Sequence, residues 1–476
     1  MGSRAVLAIA GLLASTVASA QSICTECIKI RVRRPGIARG PAADELDTKF
    51  NEIRLPDGSY RGFTANGHTY AVDGRDPWSM GGPRTPVLAP GAAGTYNECG
   101  QWLNGTELSG GVVYGFIHAE RSCNYALNQT HKSMGMATSA DFGMSWTPLG
   151  QFLTGTDAPT AGMSTGEGDC GIVNGQDGWL YAYCLRLRDW KTIVARARLA
   201  NPTPGNWYKF LNGVWTSPGL GGDATGLDAS ESVARWRSQN LVAAFSADRW
   251  FGGVKLQLSA DKTAFSTVPE PLIPLDDVNW SRPAPTELVA YLSTTNFDDG
   301  SNQLDDAFQL AYVYLQPGEA FDKRYLVLRE VLVTMTPQPV NPQVGLELGR
   351  WYSASNKDRW TTTGPVPGNF SSYAWERSLG FLMTRPASTQ NTTKLEECVS
   401  QWPGHPDHLL TGDGECSSNG YTRLRTAGWV YTTQQPNTIP LYRCYNATEM
   451  HHFASNQADC EGLGQMEWRL GYLLQN

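Results

Sequence analysis

The sequence contains little charge and no basic stripe. Only 17% of its 476 residues are Asp, Glu, Lys or Arg, and the formal net charge is -7. Proteins that bind nucleic acid neutralise phosphates with clustered Lys and Arg, so this composition argues against a nucleic-acid partner. The 50 glycines, 16 tryptophans and 19 tyrosines are instead typical of a turn-rich, all-β extracellular protein.

Long apolar runs are missing beyond the first twenty residues. Residues 1–20 contain Arg4, an apolar run over 5–17 and the small-residue pattern Ala18-Ser19-Ala20, which together predict a signal peptide. Because a membrane helix needs roughly 20 apolar residues, we expect a secreted protein with no membrane anchor. Six Asn-X-Ser/Thr sequons suit a secreted glycoprotein; they begin at Asn104, Asn128, Asn279, Asn369, Asn391 and Asn446.

The ten cysteines lack the companions of a metal site. Cys24 and Cys27 form a Cys-X-X-Cys motif, but no second Cys/His pair accompanies it, which disfavours zinc or redox chemistry. Ten cysteines in a secreted chain predict five disulfides. Their order favours local pairs, with other connectivities left open: Cys24–Cys27, Cys99–Cys123, Cys170–Cys184, Cys398–Cys416 and Cys444–Cys460.

From residue 47 to residue 333 helical periodicity is almost absent, and short β-rich runs alternate with Gly, Asp, Asn and Pro. The clearest cycle has four runs, at 232–237, 241–248, 254–260 and 265–272. A four-stranded meander of this size predicts a blade of a β-propeller. The same template places further strands at 60–66 and 68–74; at 96–103, 112–120, 133–140 and 146–153; at 166–184, 192–199 and 207–215; and at 282–287, 288–294, 308–315 and 325–333. We count five blades, with six as the alternative.

Residues 166–184 form the most informative stretch. Two β-type runs flank the turn Asn174-Gly175-Gln176-Asp177-Gly178, which predicts a hairpin. A cysteine lies on each arm, and Glu167 and Asp169 stand among glycines at the end away from the turn. We therefore expect the open end of this hairpin to face a site.

Residues 139–146 read Ser-Ala-Asp-Phe-Gly-Met-Ser-Trp. This segment resembles the Asp-box of sialidase-like propellers, and residues 259–261 match the same motif more weakly. In that family the box is a structural turn, so the resemblance implies fold rather than catalysis. One good box without a clear arginine triad makes a sialidase itself the less favoured reading.

Beyond the Pro-rich segment 336–344, which predicts a stiff linker, the sequence repeats three times with a period of 46 to 47 residues. The units start at 348–352, 395–399 and 441–445, and they close at 379–381, 427–429 and 470–472 with a Gly-aromatic pair. This pattern resembles the three-fold modules, read as β-trefoils, that are appended to secreted hydrolases. The resemblance implies a glycan-binding module over 345–476 that follows a catalytic β-propeller over 21–335.

In a propeller, the start of each inner strand and the end of the second strand lie on one face near the axis. This rule selects acids, arginines and aromatic residues, the groups that glycosidic chemistry needs. The candidate catalytic residues are Asp169, Glu231, Glu120 and Asp73, and the candidate substrate-binding residues are His118, Glu167, Arg186, Trp250, Trp280 and Arg282. The alternative for any single acid is a purely structural role in which it caps a turn, as Asp and Glu beside glycines commonly do.

The first half is similar to five-bladed glycoside hydrolases that act on arabinans, galactans or fructans. Those enzymes place a base, a pKa-tuning acid and a general acid on successive blades. Arg61 occupies the predicted strand that often carries the base, so the resemblance implies that Asp73 or Asp76 takes that role.

The favoured hypothesis is a secreted, monomeric glycoside hydrolase that cleaves a polysaccharide and carries a β-trefoil carbohydrate-binding module. A non-catalytic lectin and a polysaccharide lyase remain as alternatives; the lyase would use His118 with Arg186 and Arg282. No cofactor is expected, although His118 could help to bind a structural calcium ion on the propeller axis.

Overall fold

The computed structural model describes residues 23–42, 45–247, 253–274, 287–366, 372–400, 405–418 and 420–475. Almost all regular structure in these ranges is β-strand, as the sequence predicts. The only α-helix there is the single turn Glu415–Ser418, and 3-10 turns occupy Pro77–Ser79, Tyr125–Leu127 and Cys460–Gly462. None of these helices could cross a membrane.

The first half contains an N-terminal strand, β1 (Ile28–Arg39), followed by five successive groups of antiparallel strands. Group one contains β2 (Asn51–Arg54), β3 (Tyr60–Asn66), β4 (His68–Gly74) and β5 (Arg84–Leu88). Group two contains β6 (Gly100–Ser109), β7 (Val112–Asn124), β8 (Gln129–Ser139) and β9 (Thr147–Leu153). Group three contains β10 (Ser164–Asn174), β11 (Trp179–Arg186), β12 (Lys191–Arg198), β13 (Tyr208–Leu211) and β14 (Val214–Pro218). Group four contains β15 (Val233–Trp236), β16 (Leu241–Ala247), β17 (Val254–Ser259) and β18 (Ser266–Thr267). Group five contains β19 (Leu288–Thr295), β20 (Gln303–Leu304), β21 (Ala307–Leu315) and β22 (Tyr325–Met335); the two-residue β20 pairs with β15.

The first strand of each group lies beside the first strand of the next. β2 neighbours β6, β6 neighbours β10, β10 neighbours β15, β15 neighbours β19, and β19 neighbours β2 again. A cavity of about 50 Å³ lies among them and is lined from all five groups. Apolar residues fill the spaces between groups; Phe116, for example, packs edge-on against Phe152 and Trp207.

Two strand assignments made from the sequence are wrong. The innermost strand of group one is Asn51–Arg54, and the predicted inner strand Tyr60–Asn66 is the second. A strand of four residues is too short to produce a recognisable alternation. The outermost strand of group five is β1 from the N-terminus, which pairs with β22 from Ile28↔Met335 onward. The predicted strand 282–287 falls almost entirely outside the described residues.

All five predicted disulfides are present. They join Cys24–Cys27, Cys99–Cys123, Cys170–Cys184, Cys398–Cys416 and Cys444–Cys460. The Cys170–Cys184 bond ties the two arms of the hairpin formed by β10 and β11.

The second half contains three units of three strands. Unit one has β23 (Val344–Ser353), β24 (Asp358–Thr362) and β25 (Ala374–Met383); unit two has β26 (Thr392–Ser400), β27 (His408–Gly412) and β28 (Tyr421–Tyr431); unit three has β29 (Thr438–Asn446), β30 (His451–Ser455) and β31 (Gln465–Leu474). Equivalent residues of the units share one core, which includes Leu348, Leu395 and Leu441. The last strand of each unit contains a glycine with φ between 133° and 152°, a backbone conformation that favours glycine; these are Gly380, Gly428 and Gly471.

Side chains on the middle strands link the three units in a cycle. Asp358 accepts a hydrogen bond from the backbone amide of His408 at 3.2 Å, and the two side chains lie 2.6 Å apart. Asp407 binds His452 in the same way, at 2.7 and 2.8 Å. The third link joins Arg359 to His451 at 3.3 Å.

The two halves are joined along a seam formed by β1, β22 and β23. β1 pairs with β22 on one side and runs parallel to β23 on the other, with Ile30 opposite Val344. The buried Arg425 of unit two contacts its own Glu397 at 2.6 Å and, across the seam, Glu287 at 3.0 Å and the Tyr314 hydroxyl at 2.7 Å.

Candidate active site

Carboxylates and lysines from different strand groups meet at one end of the ring of inner strands. Three of them precede an inner strand and two lie on the second strand of group two, as the propeller rule selects. The others lie within an inner strand or at the start of a third strand. The cluster contains Asp47, Lys49, His118, Glu120, Lys132, Asp169, Glu231 and Tyr291.

Asp169 lies at the centre of the cluster, at an irregularity in β10. Its φ of 53° and the register shift between Gly168 and Gly171 turn it out of the regular ladder. Lys132 Nζ lies 2.6 Å from Asp169 Oδ2. Although burial alone would raise the pKa of Asp169, the neighbouring His118 ring and the charges of Lys132 and Lys49 hold it well below its usual range. Asp169 is therefore a permanently ionised carboxylate at ordinary pH.

The glycines around Asp169 allow this close approach. A Cβ on Gly168 would lie 2.6 Å from His118 Nδ1, and a Cβ on Gly171 would lie 2.1 Å from the carbonyl oxygen of Glu231. Any larger residue would push one of these partners away. The Gly-Glu-Gly-Asp-Cys-Gly sequence thus brings groups two and four up to the carboxylate of group three.

His118 is held between two acids. Its Nδ1 accepts a hydrogen bond from the backbone amide of Asp169 at 3.1 Å, so the other ring nitrogen carries the proton and points to Glu120 Oε1, also at 3.1 Å. The Tyr125 hydroxyl donates to Glu120 Oε2 at 2.8 Å. These hydrogen bonds and the charge of Lys132 outweigh burial and lower the pKa of Glu120 to about 2.

Lys49 places a positive charge next to Asp169 and Glu231. Its side chain is 5% exposed, and its ammonium donates hydrogen bonds to the backbone carbonyls of Asp169 and Glu231. The same ammonium lies 3.6 Å from Glu231 Oε1. Burial lowers the pKa of Lys49, while the two acids raise it. Lys49 therefore fixes the distance between the inner strands of groups three and four.

Asp47 completes the set of acids and was not among the sequence candidates. Arg324 Nη1 and the Tyr291 hydroxyl approach its Oδ1 at 2.8 and 3.0 Å. Burial raises the pKa of Asp47 despite the charge of Arg324, which brings this carboxyl nearer to neutral pH. Asp47 was not selected because the short inner strand of group one, which follows it, was not recognised in the sequence.

Three predicted residues lie apart from the cluster. Asp73 is on the third strand of its group, where its half-exposed carboxylate pairs with Arg61 at 2.6 Å. Glu167 is buried against Lys209 at 2.7 Å, and Arg186 holds Asp189 at 2.6 Å and the Ala224 carbonyl. These contacts serve the packing of groups one and three. Trp250, Trp280 and Arg282 lie outside the described residues.

The segment around Asp141 forms a capped turn. Asp141 Oδ1 accepts hydrogen bonds from the backbone amides of Met144 and Ser145 at 3.1 and 2.9 Å, and Asp261 caps the corresponding turn of group four. Neither residue belongs to the cluster. Within the described ranges, no three or more His, Cys, Asp or Glu side chains are grouped to hold a metal ion, and both ring nitrogens of His118 are already occupied.

The arrangement can supply acid–base chemistry to a ligand at the axis. Asp169 Oδ2 and Glu120 Oε1 lie 2.6 and 3.7 Å from the shared Lys132 ammonium, so these two oxygens are no more than 6.3 Å apart. Both carboxylates are ionised. Asp47 and Glu231 are the other acids, and their side chains are 24% and 26% exposed, so that they are within reach of a ligand.

No protein-family model and no curated protein matches this chain. Among solved structures it is similar to a family 117 glycoside hydrolase from the marine bacterium Zobellia galactanivorans, with 10% identity over 67% of this chain and 94% of that one and a TM-score of 0.46. It is also similar to the catalytic domain of a family 62 α-L-arabinofuranosidase from Coprinopsis cinerea, with 11% identity, 64% and 98% coverage and a TM-score of 0.40. An α-L-arabinofuranosidase from Podospora anserina aligns with 10% identity, 64% and 97% coverage and a TM-score of 0.41. At these values, the activities of the three enzymes are not carried over to this chain.

Proposed function

We propose that this protein is a secreted glycoside hydrolase that cleaves a polysaccharide at the Asp47–Asp169–Glu231 end of a five-bladed β-propeller. The observation that carries the proposal is the convergence of four carboxylates from four strand groups: Asp169 and Glu120 have lowered pKa values and are ionised, whereas Asp47 has a raised pKa. Glycoside hydrolysis requires a carboxylic acid that protonates the leaving oxygen and a carboxylate that activates water or attacks.

The contacts suggest a role for each acid. Asp47 is the base, because a carboxylate whose pKa moves toward neutrality accepts a proton more readily and its Oδ1 is anchored by Tyr291 and Arg324. Glu231 is the proton donor. Asp169 lies on the inner strand next to the one that Glu231 precedes and stays ionised, so that its negative charge favours a proton on Glu231. His118, Glu120 and Lys132 position Asp169.

The same proposal assigns the five strand groups as blades and the three units as a β-trefoil that binds glycan. The cyclic neighbourhood of the inner strands supports the blade count. The common core of the three units supports the trefoil. The five disulfides suit secretion.

A lectin and a lyase are less well supported. A lectin that only binds sugars has no need for buried lysines to fix acids of different pKa. A lyase would use His118 as a base with Arg186 and Arg282, but His118 Nδ1 accepts from the Asp169 amide and Arg186 lies apart from the cluster.

The test is a screen of plant, fungal and bacterial cell-wall polysaccharides for released reducing ends, followed by variants on the substrate that is cleaved. Asp47→Asn and Glu231→Gln should each lower kcat by at least about 100-fold, the scale of a lost general acid or base. Asp73→Asn is the matched control and should leave kcat within about twofold, since Asp73 contacts Arg61 rather than the cluster.

Unsaturated products would indicate a lyase, and binding to a polysaccharide without any release of reducing ends would indicate a lectin. Full activity of both Asp47→Asn and Glu231→Gln would remove the proposed mechanism.

A further inference from the structure

A cavity lies at the seam between the two halves, away from the candidate active site. It has a volume of about 270 Å³ and is open to solvent on one side. Five separate segments form its wall: the N-terminal strand β1, the linker 336–344, the loop between units one and two, the end of β28 with the loop that follows it, and the C-terminal end of β31. These segments lie far apart in sequence, so the cavity exists only because the two halves are joined.

Two cations on β1 face this cavity without compensating acids. Lys29 and Arg31 are two residues apart on one strand and so point to the same side. Neither forms an ion pair within the described part of the chain, and no described carboxylate lines the cavity. The charge of Arg31 is the main cause of the lowered pKa of Lys29, as expected of two cations that repel each other.

The Arg31 side chain is held in place, but not all of its hydrogen-bond donors have a partner among the described residues. It lies along Gly345 of the paired strand, its guanidinium is 5.4 Å from the centre of the Phe381 ring, and Nη1 donates only to the neighbouring Ile30 carbonyl. Its Nε is buried and has no hydrogen-bond partner among the residues that the structure describes. Glu270 influences Arg31 from a distance, but its Oε2 already accepts from the backbone amides of Gln343 and Val344 at 2.9 Å each. A guanidinium that lines a cavity without a carboxylate partner there can bind an anion.

Most of the remaining lining is amide. An amide side chain offers a donor and an acceptor side by side, which matches adjacent hydroxyl groups of a sugar ring. The amide residues at the cavity are Asn341, Gln390, Gln435, Asn437 and Gln475. Tyr431 and the rings of Pro342 and Pro436 add flat apolar surface, on which the C–H face of a sugar can pack.

We propose that this seam cavity binds an acidic saccharide, with its carboxylate on Lys29 and Arg31 and its hydroxyl groups on the amides. The volume is near the lower limit of about 300 Å³ for small-molecule sites and suits one or two sugar residues. Binding here does not depend on the proposed hydrolytic activity, because no residue of the active-site cluster lines the cavity.

The experiment is a titration of the full-length protein with oligogalacturonates of two to four residues, followed by calorimetry. The same measurement is made with the neutral galactose oligomers and with inorganic sulfate. We expect saturable binding of the uronate, at least about tenfold weaker binding of the neutral oligomer, and affinity that falls as salt is raised. Equal affinity for the neutral oligomer would overturn the role of the cations, and sulfate that binds as tightly as the uronate would overturn the role of the amides.

Variants locate the site. Lys29→Gln should weaken uronate binding about tenfold, the effect of a lost charge-assisted contact, whereas Lys323→Gln, which removes an exposed lysine elsewhere, should not. Asn437→Ala and Gln435→Ala should weaken binding while leaving its salt dependence intact. For Arg31→Lys, both uronate binding and thermal unfolding are measured, because Arg31 packs along the seam and its substitution also affects stability. Unchanged binding in Lys29→Gln would overturn the assignment.

Discussion

The ring of His118 accepts a hydrogen bond from the backbone amide of Asp169 while the Lys132 ammonium contacts the side chain of the same residue. The backbone contact fixes the imidazole with its proton on Nε2, and this proton is directed at Glu120. The position and the charge of Asp169 are thus set by different partners. A change at Asp169 can therefore alter the chemistry of the site while the backbone contact to His118 is retained.

Asp169→Asn should abolish turnover and preserve the fold. The amide keeps the shape of the carboxylate but leaves Lys132 and Lys49 without its charge, so we expect kcat to fall by at least about 100-fold with a modest loss of stability. Kinetics on the cleaved polysaccharide and circular dichroism check both parts. Asp228→Asn is the control, since the Asp228 side chain is 90% exposed and, of the described residues, forms an ion pair only with Lys191. Unchanged kcat in Asp169→Asn would remove Asp169 from the mechanism.

Tyr125 should contribute to substrate binding at the rim of the site. The residue is 62% exposed, while its hydroxyl donates to the buried Glu120. Tyr125→Ala should raise KM several-fold through the loss of a stacking surface, and Tyr125→Phe should retain the KM but shift the acid limb of the pH–rate profile by releasing Glu120. Tyr208→Ala, at an exposed tyrosine of group three, serves as the control. A KM that is equal in Tyr125→Ala and the wild type would contradict this role.

Glu52 should make the protein less stable as the pH rises. It is 1% exposed in the axial cavity, and burial raises its pKa to about 8, although Thr295 offsets part of this shift. Between about pH 4.3, the ordinary value, and pH 8, the folded protein therefore binds more protons at this site than the unfolded chain does, so the free energy of unfolding falls with rising pH. Above pH 8 the loss is complete.

Glu52→Gln removes this titration, so the variant should unfold at a higher temperature than the wild type at pH 8 and show a smaller difference at pH 5. Glu26→Gln, at an exposed carboxylate, should not change the pH dependence. Parallel curves for Glu52→Gln and the wild type from pH 4 to pH 8 would show that Glu52 is ionised in the folded state.

Arg425 should couple the stability of the two halves. Arg425→Met leaves the buried carboxylate of Glu397 without its cation and removes the contacts to Glu287 and Tyr314, so we expect a loss of about 3–5 kcal/mol in the free energy of unfolding. Denaturant unfolding followed by tryptophan fluorescence measures it. Arg377→Met, at a 44% exposed arginine paired with Glu461 at 3.2 Å, should cost less than about 1 kcal/mol. A small effect of Arg425→Met would mean that the two halves are energetically separable.

The hairpin 166–184 and its acid could be predicted because the signals are local. A turn sequence, two cysteines and glycines beside an aspartate lie within nineteen consecutive residues. The five disulfides were predictable for the same reason, since each pair is close in sequence. Asp73 was selected because the inner strand of its group was placed one strand too late, and that error also hid Asp47.

The lysines and the seam could not be predicted in the same way. Lys49 and Lys132 have no distinctive sequence context, and each is recognisable only by the backbone carbonyls or carboxylates that surround it. The pairing of β1 with β22 and β23 depends on strands about three hundred residues apart along the chain, and the Pro-rich composition of 336–344 indicated a separable module. No local pattern contains that information.

The pairing of β1 with β22 also sets the order of events during synthesis. Ile28 is synthesised 307 positions before its partner Met335, and the strand that covers its other edge begins at Val344. Groups one to four can form as they are synthesised, because most of their strand pairings are local. β1 must remain unpaired until β22 and β23 have been translated, so its pairing is a late step of folding. Its edges stay exposed to wrong partners until then.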